Sequence, residues 1–351
     1  SREKSSAIAD PAIPSPPILT AQQGAAEALF DMAGLLFGEY SDDSARIFAQ
    51  MSLYLDPGLD ESRVLLAHIA ARNERYDEAI RYFQAIRRDD EDWLDAQRRA
   101  ADLMERAGRR ADALGLLNML VKERQDLDSQ IQIGDLHRRA GELALALEAY
   151  NRAIQQLGGK IPIEDWNILY ARGMVYEQLG KWKEAERDLL AALTYQPEHP
   201  YILNALGYGW AERGENLDRA LSMLEKAATL RPSDEYISDS LGWALYRLGR
   251  YADAVAPMEK AVGMLPGDSL VNDHLGDVYW RVGRTREARF QWERALNASE
   301  DAAASATISE KLRNGLPPLA GSTAGIPASP APAAPAPVPA PALSPVPPPV
   351  H

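Results

Sequence analysis

The chain has no cysteine, and that one absence removes disulfide staples, thiolate metal sites and cysteine nucleophiles together. The redox compartment is left open by it. No apolar run reaches about 18 residues, so no segment reads as a membrane span. Positive charge is also short: 38 Lys and Arg stand against 51 Asp and Glu, for a net charge of -13. Nucleic-acid affinity rests on clustered cations that neutralise phosphates, so DNA and RNA are not expected partners. Histidine is scarce, and His68, His137, His199 and His351 are scattered at spacings that suit neither a hydrolase nor a metalloenzyme. Asp273, His274 and Asp277 invite a metal reading, but Asp273 and His274 point about 100° apart on a helix. Two convergent carboxylates remain where a metal normally takes three or four ligands. No metal, no cofactor and no catalytic residue is therefore expected, and an enzyme is the least favoured class. The opening Ser1-Arg2-Glu3-Lys4 has no signal-peptide character, whether by origin or because a leader was removed. The sequon Asn297-Ala298-Ser299 reads as a chance match.

What is present is periodicity. Gly173, Gly207, Gly242 and Gly276 recur 34, 35 and 34 residues apart, each with a second Gly seven residues on and an Ala twelve or thirteen on. A fixed period of this length marks a solenoid, in which each helical hairpin buries its apolar face only against its neighbours. Aligned on the small position, eight units begin near Ala26, Asp60, Leu94, Leu127, Trp166, Pro200, Glu235 and Ser269. The spacing stretches once, between the fourth and fifth, where Gly158 to Pro162 forms a turn-rich insertion and a natural place for a bend. Residues 1–24 read as a Pro-rich extended arm, 26–300 as the eight units, 301–314 as a capping helix with Ile308 and Leu312 on one face, and 315–351 as a disordered Pro/Ala-rich tail.

Within the fifth unit, Leu169, Gly173 and Tyr176 share one face of a first helix, and Ala185, Leu189 and Ala192 answer from a second. Gly180 turns between them and Pro197 ends the pair. This pattern resembles the tetratricopeptide repeat. The seventh unit carries Leu241, Gly242, Leu245, Gly249, Ala254, Met258, Ala261 and Pro266, and the eighth Leu275, Gly276, Tyr279, Gly283, Ala288, Trp292 and Ala295. Units one to three hold only the small residues Ala33, Ala67 and Ala101, then Ala45, Ala79 and Ala113. The resemblance implies an all-α, right-handed superhelical solenoid. A narrower resemblance, carried by stretches such as Asn204-Ala205-Leu206-Gly207-Tyr208 and Asp273-His274-Leu275-Gly276-Asp277, is to the C-terminal repeats of proteobacterial cell-envelope lipoproteins of this family that act as adaptors for a carboxyl-terminal processing protease. It implies a periplasmic or cell-envelope scaffold, with a cytoplasmic place still open.

In such a fold the first helices line the concave side, and positions two, five, nine and twelve fall off the packing stripe. That phase offers Tyr170, Met174, Tyr201, Asn204, Tyr208, Tyr236, Asp239, Trp243, Tyr246, Asp273, Asp277 and Trp280 as a partner-binding set. Rings interleaved with acids suit a protein segment or helix with apolar anchors and basic flanks. The competing reading is that several rings merely pack between units. Replacing Tyr208, Trp243 or Trp280 by Ala is expected to weaken capture by about 2 kcal/mol each while leaving melting nearly unchanged. The first unit is different, because Leu29, Phe30, Leu35, Leu36 and Phe37 surround its first helix with apolar surface. Three covers stay open: the arm folding back with Ile13, Ile18 and Leu19, further repeats upstream, or a second chain in an oligomer.

Overall fold

A computed structural model describes residues 20–38 and 41–317; most of the expected arm and nearly all of the expected tail lie outside the described residues. Among the described residues there are seventeen α-helices, one short 3-10 turn and no strand. The chain divides into two compact bodies, 1–136 and 137–351. In the first, α1 (Ala21–Leu36) pairs with α2 (Asp42–Leu55), α3 (Asp60–Arg72) with α4 (Tyr76–Gln84), and α5 (Trp93–Arg106) with α6 (Arg110–Arg124). The division falls inside α7 (Leu127–Arg139). The second body continues with α8 (Leu143–Gln156), the pairs α9 (Trp166–Gln178) and α10 (Trp182–Tyr195), α11 (Pro200–Arg213) and α12 (Leu217–Leu230), α13 (Glu235–Arg247) and α14 (Tyr251–Met264), and α15 (Ser269–Arg281) and α16 (Thr285–Ala298). The last helix among the described residues is the single helix α17 (Ala302–Asn314). This is an all-α repeat solenoid. The Gly158–Pro162 insertion is tied to the fifth repeat, for Ile161 packs on that core and its carbonyl accepts from the Tyr195 hydroxyl at 3.0 Å.

Sequence chemistry sets the helix ends. Asp234, Asp268 and Asp301 each accept from the backbone N–H three residues on, satisfying a donor that the first turn of α13, α15 and α17 leaves unpaired. Pro200 sits in the first turn of α11, where no intrahelical donor is lost. Between paired helices the backbone turns through the left-handed region, and Gly180 takes it at φ 70° without a Cβ clash. In the second repeat Glu74 occupies that place at φ 58°, a conformation that costs an L-residue about 1–2 kcal/mol.

The small-residue columns are the contact points of each hairpin. Leu224, Met258 and Trp292 are fully buried across from Gly207, Gly242 and Gly276. A Cβ on Gly242 would stand 2.6 Å from Met258 Cγ, so only glycine lets that side chain in. Full burial of a Leu or Met stabilises by roughly 2 kcal/mol. The first and last described repeats differ in what they leave exposed. Five of the ten large apolar side chains exposed among the described residues, Met32, Leu35, Ile47, Met51 and Tyr54, belong to the first repeat. Over the last, α17 packs on α16 and buries Ile308.

Candidate protein-binding wall

The first helices of repeats five to eight, α9, α11, α13 and α15, all lie in the second body, with α11 against α13 and α13 against α15. The residues expected from phase sit along these helices, but they are not equally free. Trp243 is 7% exposed and lies flat between two rings, 4.0 Å from His274 of the next repeat and 4.9 Å from Tyr246. Its Nε1 donates to Glu212 at 2.7 Å. Tyr246 is 5% exposed and also meets Tyr251 edge-on. Asp239 is buried, and its carboxylate pairs with His274 Nδ1 at 2.9 Å. Burial alone would lower the His274 pKa, but the Asp239 charge and hydrogen bond, helped by Asp273 and Glu212, carry it above the ordinary imidazole value.

The eighth repeat is closed by its cap. Lys311 of α17 places Nζ 2.7 Å from Asp273 and 2.8 Å from Asp277. Trp292 Nε1 adds a donor to Asp277 at 2.9 Å. Burial, with the neighbouring Asp273 charge, pushes the Asp277 carboxyl up to about 6 against the opposing pull of Lys311 and Trp292. Trp280 is only partly buried, yet its ring lies against Trp292 at 5.4 Å and so close to Gly315 that a Cβ there would overlap it. Asp273 and Asp277 do converge, on an internal ammonium. Among the described residues no cluster of three or more His, Asp or Glu could hold a metal ion.

These contacts correct the expectation of a uniformly open wall. Asp239, Trp243, Tyr246, Asp273, Asp277 and Trp280 hold repeats and cap together. The physical reason is that a large ring one repeat along reaches back over its neighbour, so positions nine and twelve become packing positions where both repeats carry bulk. Replacing Trp243 or Trp280 is therefore expected to lower the melting temperature.

The part of the wall built by α9, α11 and the start of α13 is different. Tyr170, Met174, Tyr201, Asn204, Tyr208 and Tyr236 are all partly exposed there. The Tyr208 hydroxyl and Asn204 Oδ1, one turn apart on α11, are shielded from solvent with no hydrogen-bond partner. Burial first, then the charges of Glu212, Asp239 and Glu177, push the Tyr208 phenol well above its ordinary value. Glu177 is itself raised by burial, Arg213 opposing and Glu212 assisting. The nearby cations are already engaged: Arg213 donates to the Gly209 carbonyl at 2.9 Å and lies over Trp182, and Arg247 donates to the Glu212 carbonyl at 2.6 Å. Beside this acidic patch stands a ring cluster in which His199 lies 4.7 Å from Trp166, 6.2 Å from Tyr170 and 5.8 Å from Tyr201. Burial and then the Arg231 charge lower the His199 pKa, which favours the neutral imidazole.

Sequence reasoning passed over Glu177, His199, Glu212 and Lys311. Glu177 stands at position twelve of the fifth repeat and was readable from phase; the other three lie outside the four positions considered.

Family models of the tetratricopeptide repeat match residues 64–129, 166–199 and 211–269. Among curated proteins, the TPR repeat-containing protein PA4667 of Pseudomonas aeruginosa is 34% identical over 163 residues, which is 46% of this chain and 27% of that protein. The chain thus spans well under half of that relative. Among solved structures, the APC/C hetero-tetramer Cut9-Hcn1 gives a TM-score of 0.56 at 17% identity, over 85% of this chain and 57% of that one. A tetratricopeptide repeat protein from Parabacteroides merdae gives 0.47 at 16% identity, over 83% of this chain and 98% of its own. At 17% identity the likeness to Cut9-Hcn1 concerns the fold alone. Repeats of this type present extended surfaces to protein partners and are typically non-catalytic. The helical hairpins, the small-residue contacts and the three matched stretches agree on an all-α repeat solenoid in which residues 64–129, 166–199 and 211–269 are similar to tetratricopeptide repeats.

Proposed function

We propose that the chain is a non-catalytic scaffold that holds a peptide segment or partner helix on the wall of α9, α11 and the start of α13. The observation that carries this is the unmet hydrogen-bonding capacity of Tyr208 and Asn204 beside Glu177, Glu212 and Asp239. A shielded polar group without a partner costs about 1–3 kcal/mol, so a ligand that supplies the missing bonds binds with that advantage. The acids favour Lys or Arg in the bound segment, and Tyr170, Met174, Tyr201 and Tyr236 offer partly exposed surface to apolar anchors. By its sequence resemblance we place this scaffold in the periplasm or cell envelope, where it would assemble complexes or recruit a processing protease.

Peptides selected against the whole chain, with affinities measured by calorimetry, test the reading. Basic peptides with apolar anchors should dominate, and Asn204→Ala or Tyr208→Phe should weaken them about 5- to 30-fold, near 1–2 kcal/mol, with little change in melting. Selection of acidic peptides, or full affinity in both variants, would overturn it. Cell fractionation tests the compartment separately.

A further inference from the structure

Counted from the helix cap, positions five and nine are Asn204 and Tyr208 in α11, Asp239 and Trp243 in α13, and Asp273 and Asp277 in α15. In the last two of these repeats the following helix brings a basic side chain. His274 Nδ1 meets Asp239 at 2.9 Å, and the Lys311 ammonium bridges Asp273 and Asp277 at 2.7 and 2.8 Å. The sixth repeat receives none. At the register of His274, α13 carries Ser240, whose hydroxyl donates to the Tyr236 carbonyl of its own helix at 2.8 Å, and at the register of Lys311 it carries the buried Ala244. Asn204 Oδ1 and the Tyr208 hydroxyl are left shielded without a partner. The charges of Glu212, Asp239 and Glu177 all act on that phenol, but Glu212 is engaged by Trp243 and Asp239 by His274. Glu177 is the carboxylate to spare: partly buried on α9, it holds no hydrogen bond or ion pair among the described residues.

Given the scaffold role proposed above, we infer that the partner is recognised through one lysine, whose ammonium enters between Asn204, Tyr208 and Glu177 as that of Lys311 enters between Asp273 and Asp277. Three acceptors on two helices suit it. The N–H bonds of an ammonium diverge from a single atom and reach a carboxylate, an amide oxygen and a hydroxyl together, whereas guanidinium donors lie in one plane and best match a carboxylate met side-on. Arginine is therefore a poor substitute. Burial, opposed by Arg213, holds the Glu177 carboxyl above its ordinary value, and an arriving ammonium supplies the close counter-ion that Arg213, bonded to the Gly209 carbonyl, does not. The methylene stem lies along Tyr170 and Met174, partly exposed on the same helix as Glu177.

Peptide pools that differ only in a fixed central residue, Lys, Arg, acetyl-lysine or Ala, can be selected against the whole chain and the enriched peptides measured by calorimetry. The Lys pool should win. Within an enriched peptide, exchanging that Lys for Arg should weaken binding about 10-fold, and acetylating it, which keeps the stem but removes the charge, about 30-fold or more. Glu177→Gln should weaken the lysine peptide about 10-fold and leave its acetylated form unchanged, with the melting curve kept. A merely structural role for Glu177 would weaken both forms alike, and that result would overturn the inference. An arginine peptide as tight as its lysine counterpart would overturn it too, while leaving the basic-segment reading in place. Enrichment of acidic peptides, or of none, would overturn both.

Discussion

Among the described residues the last repeat lies beneath a helix and the first lies beneath none, and the two repeats show what a bare hairpin face must solve. Over the last repeat α17 contributes Ile308 inward and leaves Ala302, Ala303, Ala306, Glu310 and Arg313 outward. It also delivers one ammonium to two carboxylates that would otherwise be stranded. On α1 of the first repeat Ala21, Ala25, Ala28, Met32 and Leu35 are exposed at spacings of 4, 3, 4 and 3. A repeat buries its own half of each interface, so a bare face needs a residue set that the periodic pattern does not supply.

Substitutions can break or sharpen this contrast. The largest effect is expected from Trp243→Ala in the closed body, which empties a ring-lined site and should cost about 4 kcal/mol in denaturant unfolding. An unchanged midpoint would mean that the ring is free after all. Lys311→Met should follow at about 3 kcal/mol, because Asp273 and Asp277 lose their shared counter-ion. If the same denaturation curve moved as little for Lys311→Met as for Leu35→Asp, the two repeats would not differ as described.

The covered repeat should also respond to pH. His274 binds its proton more tightly in the native state than in the unfolded chain, so its contribution is complete below about 6.5 and is lost as pH rises through the folded value. Asp277, held up to about 6, acts in the same sense: its share is present below about 3.9 and gone above about 6. His68 and His199, both held below the ordinary imidazole value, pull the whole-chain slope the other way, so the test is a difference: Asp277→Asn should make melting temperature fall less, or rise more, from pH 5 to pH 8 than in the parent chain. An unchanged slope in that variant would contradict the buried pairing. The smallest effect belongs to the other body, where Glu74→Gly should add about 1 kcal/mol by relieving the left-handed turn.

The fold was legible because its determinants are local and repeated. Gly242 and Gly276 announce in sequence where Met258 and Trp292 must enter, and Gly180 announces the turn. The wall was legible only in part. Phase placed Asn204 and Tyr208 on a helix face, but the fate of Trp243 depended on His274, a residue of the following repeat weighed only as a metal ligand and set aside for pointing away from Asp273. Asp273 and Asp277 were correctly seen to converge, yet their partner Lys311 sits in a helix read only for its apolar face. Side-chain burial in a stack is decided between repeats, and a reading taken one repeat at a time does not contain it.

The ammonium of Lys311 has a consequence in time. Synthesis brings out α15 and α16 before α17, so Asp273 and Asp277 wait, charged and solvated, until about 34 further residues have followed. The eighth hairpin is then left loose during translation and locks only when the helix after it arrives. The order of manufacture thus makes the eighth hairpin wait on a helix that its own sequence does not contain.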